Sequence, residues 1–179
     1  GGLKTLKDWL LRKQKLYSQL DRANQYNIEL PKGMIITGVP GCGKSLTAKV
    51  SASVLKMPLL RLDIGKVLGK YVGESEGNFK KSLSIAEAIC PCVLWIDEIE
   101  KAFVGVGGDG TNEVTTRLFG QFLTWLQEHT TPVFVIATAN SIDKLPVEFL
   151  RKGRFDEIFF VDLPTESERE QIFNLQLRR

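Results

Sequence analysis

The sequence predicts an α/β fold in which a parallel sheet of five strands is covered by helices on both faces. Two observations carry that expectation. Short apolar runs alternate along the chain with longer stretches whose apolar residues recur every three or four positions, the pattern of strand followed by helix. At the first such junction lies Gly38-Val-Pro-Gly-Cys-Gly-Lys44-Ser45, a glycine-rich turn between an apolar strand and a helix. A strand that returns by way of a helix re-enters the sheet in the same direction, so repeated units of this kind give a parallel sheet buried on both faces.

The elements follow in order. Leu3, Leu6, Leu10, Leu16 and Leu20 recur at near-helical spacing among Lys, Arg and Gln, which predicts an amphipathic first helix packed on the domain. Pro31-Lys32-Gly33 resets the chain for a first strand at Met34-Ile-Ile-Thr37, and Ser45 to Leu55 is a helix with Leu46, Val50 and Val54 on one face. Pro58 to Asp63 is a second strand. A helix from Glu76 to Cys90 turns Phe79, Leu83, Ala86 and Ile89 to one side, and Val93 to Ile96 is the third strand. Asn112 to Glu128 carries a core-facing stripe of Val114, Leu118, Phe122, Trp125 and Leu126 before a fourth strand at Val133 to Ala137. A short helix at Val147 to Leu150, a fifth strand at Ile158 to Val161 and a helix after Pro164-Thr165 complete the series.

The chain of 179 residues has the length of one domain, and its 43% apolar and 25% charged residues are ordinary for a globular protein. No apolar run approaches the ~18 residues that cross a bilayer, and no secretory signal is read at the first residues, so membrane insertion is not expected. The 24 Lys and Arg against 21 Asp and Glu give +3, too mild a balance to announce a nucleic-acid surface. Cys42, Cys90 and Cys92 have neither disulfide-framework nor zinc-site spacing, which suits a reducing compartment.

The glycine-rich turn carries the first chemistry. Glycines at this spacing build a loop whose backbone N–H groups converge on a polyphosphate, and the following helix adds its positive N-terminal dipole. Gly38, Pro40, Gly41, Cys42, Gly43, Lys44, Ser45 and Leu46 are the expected nucleotide-binding residues, with Lys44 reaching the outer phosphates and the Ser45 hydroxyl placed to ligand Mg²⁺. Without a ligand the same segment is a plain turn, with Cys42 a small residue that fits it.

Asp97-Glu98 directly follows the third strand, and ligands of open parallel sheets bind at the carboxyl ends of strands. Asp97 can hold the Mg²⁺ hydration shell opposite Ser45, and Glu98 can orient and deprotonate the water that attacks a terminal phosphate. The alternative is two solvated acids or a helix cap. Asn140 ends the fourth strand region, where its amide can bond the attacking water or the terminal phosphate; alone it would read as a turn residue.

Together with Leu150-Arg151-Lys-Gly-Arg154-Phe-Asp156, these motifs stand in the order and approximate spacing of the AAA family of ATPases, and the chain resembles that family over essentially its whole length. Cys92-Val-Leu-Trp-Ile-Asp97-Glu98 and Phe149 to Phe160 look most like the single-domain AAA ATPases of cyanobacteria and chloroplast genomes. The resemblance implies a three-layer P-loop NTPase sheet, the five-stranded large subdomain of the AAA+ type, over 1–163. Residues 164–179 are then the first helix of a truncated C-terminal helical lid, so this segment alone is expected to bind nucleotide weakly and assemble poorly.

The same resemblance implies ATP and Mg²⁺ and a ring, usually a hexamer, in which Arg151 and Arg154 reach the phosphate bound by the neighbouring subunit. A guanidinium on transition-state charge contributes on the order of 10³ or more in rate, and supplying it in trans couples turnover to assembly. Surface ion pairing is the alternative reading of both arginines. Lys70-Tyr71-Val72-Gly73 corresponds to a loop facing the central pore, with Tyr71 and Val72 gripping an extended polypeptide or else packing on their own domain. Val104 to Gly110 corresponds to a second pore segment or to a plain flexible loop.

Some positions depart from the family. Val39, Cys42 and Ser45 stand where Pro, Thr and Thr are common, and Gln127-Glu-His129 replaces an Asp-Gly-Phe that often signals between subunits. His129, the only histidine, is expected at a solvated helix end. The function implied is Mg²⁺-dependent ATP hydrolysis that remodels an unidentified protein partner, in a bacterial cytoplasm or plastid stroma. An ATP-gated scaffold with slow turnover is one alternative, and a nucleic-acid translocase or loader is another; Lys66 and Lys70 give a little positive charge near the pore segment, but no basic cluster supports it and a nucleic-acid partner is not expected.

Overall fold

In a computed structural model the described residues are 2–68, 72–103, 113–151, 153–163, 165–167, 169, 170 and 174. Five strands, β1 (Gly33–Thr37), β2 (Leu59–Asp63), β3 (Cys92–Asp97), β4 (Val133–Ala139) and β5 (Glu157–Phe160), form one sheet in the order β2-β3-β4-β1-β5. Every pairing is parallel, as the alternation of elements predicted. From β1 the chain crosses to β2 at the far edge, works back through β3 and β4, and passes β1 to reach β5. The strand order therefore reverses beside β1, and such a reversal opens a crevice at the carboxyl ends of the strands.

The period-two geometry of strands splits the core into two layers. On one face Cys92, Leu94 and Ile96 of β3 and Val133, Val135, Ala137 and Ala139 of β4 pack with α4 (Ile64–Leu68), α5 (Val72–Ile89) and α6 (Glu113–Glu128). On the other, Val93 and Trp95 of β3 and Phe134 and Ile136 of β4 meet α1 (Gly2–Tyr17) and α3 (Lys44–Leu55). β3 is buried from Cys92 to Ile96 and β4 along its whole length, which is why both read as unbroken apolar runs in the sequence.

Several helices differ from the sequence expectation. The leucine stripe belongs to two helices, because the chain turns after Tyr17 and restarts as α2 (Leu20–Gln25). Leu6 and Leu10 are buried, whereas Leu3 is half exposed. On α3 the expected face turns mostly outward: Leu46 and Val50 are exposed and Val54 packs partly on the core, while Ala48, Ala52 and Leu55 meet the sheet. Small residues let this helix approach the strands closely, while the larger apolar residues line an open groove between α1 and α3. Ile89 at the end of α5 is likewise exposed, and α5 begins at Val72 rather than Glu76. The segment Val147–Leu150 is a 3₁₀ helix.

An aromatic cluster fixes that 3₁₀ helix. Phe149 is 1% exposed, with its ring 4.9 Å from Phe119 and 5.2 Å from Phe103 between ring centres. Removing such a side chain costs about 3–5 kcal/mol. Its burial anchors the turn that carries Arg151.

His129 is buried, contrary to the expected solvated position. Its ring stacks on Trp125 at 4.3 Å, Nδ1 lies 3.0 Å from the Trp125 carbonyl, and Nε2 lies 3.1 Å from the Val133 carbonyl. Lys32 Nζ donates to the carbonyls of Gln127 and His129 at 3.1 and 2.6 Å, closing the end of α6. Of the 164–179 segment, 166, 167, 169, 170 and 174 are helical and Arg169 N–H bonds the Thr165 carbonyl; most of the expected lid helix lies outside the described residues.

Burial is the main influence on His129 and holds it below the ordinary imidazole value of 6.5, against the opposing pull of the two carbonyls. The folded chain then binds fewer protons than the unfolded chain as acidity rises, so the stabilisation from neutral His129 is complete above 6.5 and is lost as pH falls below it. Denaturant unfolding of the native chain and His129→Phe from about pH 8 to 5 checks this: the native chain should lose stability more steeply over that window, and equal slopes would contradict it.

Candidate active site

The glycine-rich loop leaves β1 at Thr37, and its first residue is pinned on both sides. Gly38 N–H donates to the Ala139 carbonyl at 3.3 Å, and a Cβ placed on Gly38 would lie 2.2 Å from the Val161 carbonyl oxygen. Only glycine fits there. Gly41 and Gly43 have φ of +81° and +89°, the left-handed region that turns successive N–H groups to the inside of the loop. Gly43 caps α3 without a side-chain hydrogen bond, so the first N–H groups of this 12-residue helix have neither a carbonyl one turn back nor a side-chain cap.

Lys44 is 9% exposed, with Nζ donating to the carbonyls of Gly38 and Val39 at 2.7 and 2.9 Å. The ammonium is thereby held over the mouth of the loop. Cys42 is buried with Sγ 3.9 Å from Lys44 Nζ, as expected of a small residue that fits the turn. Ser45 is the second residue of α3, beside the loop, and Leu46 follows it with its side chain exposed. A glycine cradle, a buried lysine and a helix N-terminus form a chemically suitable site for a polyphosphate.

The acids lie two strands away. β4 pairs with β1 on one side, matching Thr37 to Ala139, and with β3 on the other, matching Ile96 to Ala137. Asn140, just beyond β4, therefore stands between the loop after β1 and Asp97-Glu98 after β3. Thr138 is fully buried at the level of Asp97, and its hydroxyl donates to Asp97 Oδ1 at 2.7 Å. Arg61, on the neighbouring strand β2, bonds Asp97 Oδ2 at 2.9 Å and lies over the Trp95 ring.

Glu98 has φ of +50°, a conformation that costs a non-glycine residue about 1–3 kcal/mol. Its N–H donates to Thr138 Oγ1 at 3.3 Å, and its carboxylate pairs with Lys101 in the following 3₁₀ turn. That pairing raises the affinity of the Lys101 amine for its proton. Glu100 is 7% exposed; its Oε1 accepts the Asn140 N–H at 2.8 Å, and Oε2 is buried with no hydrogen-bond partner among the described residues. The backbone of Asn140 is thus fixed from the same loop that carries Glu98.

The arginine pair divides. Arg151 is exposed at the end of the 3₁₀ helix held by Phe149, whereas Arg154 is half-buried and donates to the Glu148 carbonyl of its own chain. Val72 and Gly73 begin α5, so they belong to a helix rather than to an open loop. Tyr71 and the glycine-rich stretch 104–110 lie outside the described residues. Sequence reasoning missed Arg61, Thr138 and Glu100, although a hydroxyl within the apolar run Val133 to Ala139 and an acid two residues after Glu98 were visible signals.

Gly38→Ala tests the geometry of the loop. The added methyl meets backbone that cannot yield as a flexible side chain would, so the loop must move off β5. The expected outcome is loss of at least about tenfold in affinity for a nucleoside triphosphate, measured by titration with a fluorescent analogue; affinity equal to the native chain would contradict the pinned loop.

Comparison with known proteins agrees with this geometry. Residues 34–163 match the family model described as ATPase family associated with various cellular activities (AAA). The chain is 52% identical over its whole length to an AAA domain-containing protein, ycf46, of Pyropia yezoensis, covering 36% of that protein. It is 50% identical to the ycf46 protein of Guillardia theta, of which it covers 35%. A cell division cycle protein 48 homolog of Archaeoglobus fulgidus is 34% identical over 99% of the chain, which covers 25% of it. The chain thus spans about a third of the length of the ycf46 proteins it matches. With the P-loop, the paired acids and the polar residue between them on adjacent strands, the chain belongs to the AAA family and is an ATPase domain of that family.

Proposed function

We propose that this domain hydrolyses Mg²⁺-bound ATP and uses the reaction, in a ring of subunits, to remodel a protein partner. The observation that carries the reading is the alignment of three strand ends: the phosphate loop after β1, Asn140 after β4 and Asp97-Glu98 after β3. In this reading the loop N–H groups and Lys44 hold the phosphates. Mg²⁺ held by Ser45 and Asp97 would neutralise charge on the phosphate oxygens; such sites need only one or two protein oxygens, the remainder coming from phosphate and water. Glu98 takes a proton from the attacking water, and the Asn140 amide orients that water or the terminal phosphate.

The exposed position of Arg151 supports its reaching a neighbouring subunit's phosphate; Arg154 would have to release the Glu148 carbonyl to do so. Residues 1–163 are read as the α/β core and 164–179 as the start of a helical lid. Tyr71, Val72 and Gly73 are proposed to face the pore of the ring. Similarity to ycf46 proteins from plastid genomes supports a plastid stroma or a bacterial cytoplasm, and among the described residues no helix is long and apolar enough to cross a membrane.

ATP turnover per subunit is measured against protein concentration for the full-length protein and for Glu98→Gln and Arg151→Ala. Turnover should climb with concentration and fall by about 10²–10⁴ in Glu98→Gln and on the order of 10³ in Arg151→Ala. A flat, near-zero rate despite tight ATP binding would overturn the hydrolysis reading in favour of an ATP-gated scaffold.

A further inference from the structure

The Thr138 hydroxyl is surrounded by three partners at fixed positions. Trp95 Nε1 and Glu98 N each lie 3.3 Å from Oγ1, and Asp97 Oδ1 lies at 2.7 Å. An indole N–H and an amide N–H only donate, so they fill the two acceptor positions of the hydroxyl. Its single hydrogen then has one place to go, the Asp97 carboxylate. A side chain with no access to solvent is thereby oriented by its own hydrogen-bonding capacity, with nothing left over.

We infer that Thr138 is the positioning residue that sets Asp97 and Glu98 relative to the phosphate loop. This rests on the ATPase reading above. Thr138 lies on β4, the strand that also pairs with β1, so its hydroxyl transmits the position of the loop-bearing strand to both acids at once. It holds Asp97 through Oδ1 and leaves Oδ2 to Arg61, whose side chain is 54% exposed and free to yield that oxygen to metal-bound water. Through the Glu98 N–H it also secures the left-handed turn at Glu98, whose carboxylate pairs with Lys101 in the next turn.

The test compares Thr138→Val, which keeps the shape and removes the hydroxyl, with Thr138→Ser, which keeps the hydroxyl. Three quantities are read in the full-length protein: kcat for ATP, KM for ATP, and the ratio of affinities for a fluorescent ATP analogue with and without Mg²⁺. Thr138→Val should lower kcat by about 10- to 100-fold, change KM by less than about threefold and reduce the Mg²⁺ enhancement, since small displacements of reacting groups cost factors of this order. Thr138→Ser should stay within about threefold of the native chain in all three.

If Thr138→Val does not fold, Trp95→Phe removes one of the two N–H groups that orient the hydroxyl and should lower kcat by about three- to tenfold. Native values in Thr138→Val, native kcat in Trp95→Phe, or equal impairment in Thr138→Val and Thr138→Ser would each overturn the inference. A native protein that binds Mg²⁺ and ATP without turnover would contradict the hydrolysis reading instead, and the Mg²⁺ enhancement in Thr138→Val would then decide the role of Thr138 by itself.

Discussion

The candidate site depends on the register of β4, the strand hydrogen-bonded to β1 on one side and β3 on the other. A parallel ladder fixes its neighbours residue by residue, so matching Thr37 to Ala139 and Ile96 to Ala137 determines which strand ends lie side by side. A slip of one residue would send every β4 side chain to the opposite face. That slip is opposed by Phe134 and Ile136 packing on α1 and α3 while Val133, Val135 and Ala137 pack towards α5 and α6. The apolar core, in other words, sets the position of the polar groups beyond it.

The polar connections at the strand ends then act at short range. Thr138 ties β4 to Asp97 and Glu98, and Glu100 ties the loop after β3 back to Asn140. Both bridging side chains are buried, where an unpaired donor or acceptor costs about 1–3 kcal/mol and where hydrogen bonds hold geometry better than in water. The positive φ of Glu98 is sustained by this support. On the opposite side, the Val161 carbonyl just beyond β5 lies against Gly38 of the glycine-rich loop. The acids, the asparagine and the loop are therefore parts of one braced structure.

Legibility in the sequence followed the kind of physics involved. The strands were readable because burial on both faces demands continuous apolar residues, and the glycine-rich loop was readable because left-handed backbone and close approach demand glycine. Helix faces were less so. Leu46 and Val50 are apolar but exposed, while Ala48 and Ala52 meet the sheet, because close packing selects small size that a hydrophobic stripe does not reveal. His129 was misplaced for a related reason: its burial comes from stacking on Trp125 and from two carbonyls supplied by tertiary structure. Arg61, Thr138 and Glu100 act through cross-strand partners 36 to 41 residues distant in sequence, which spacing alone does not disclose.

A crystal structure of the full-length protein with Mg²⁺ and a non-hydrolysable ATP analogue tests the central claim most directly. The account predicts the triphosphate in the loop from Gly38 to Ser45, the metal between Ser45 and Asp97, and Glu98 and Asn140 converging on the space beyond the terminal phosphate. Nucleotide bound elsewhere, or a terminal phosphate out of reach of Glu98 and Asn140, would contradict it.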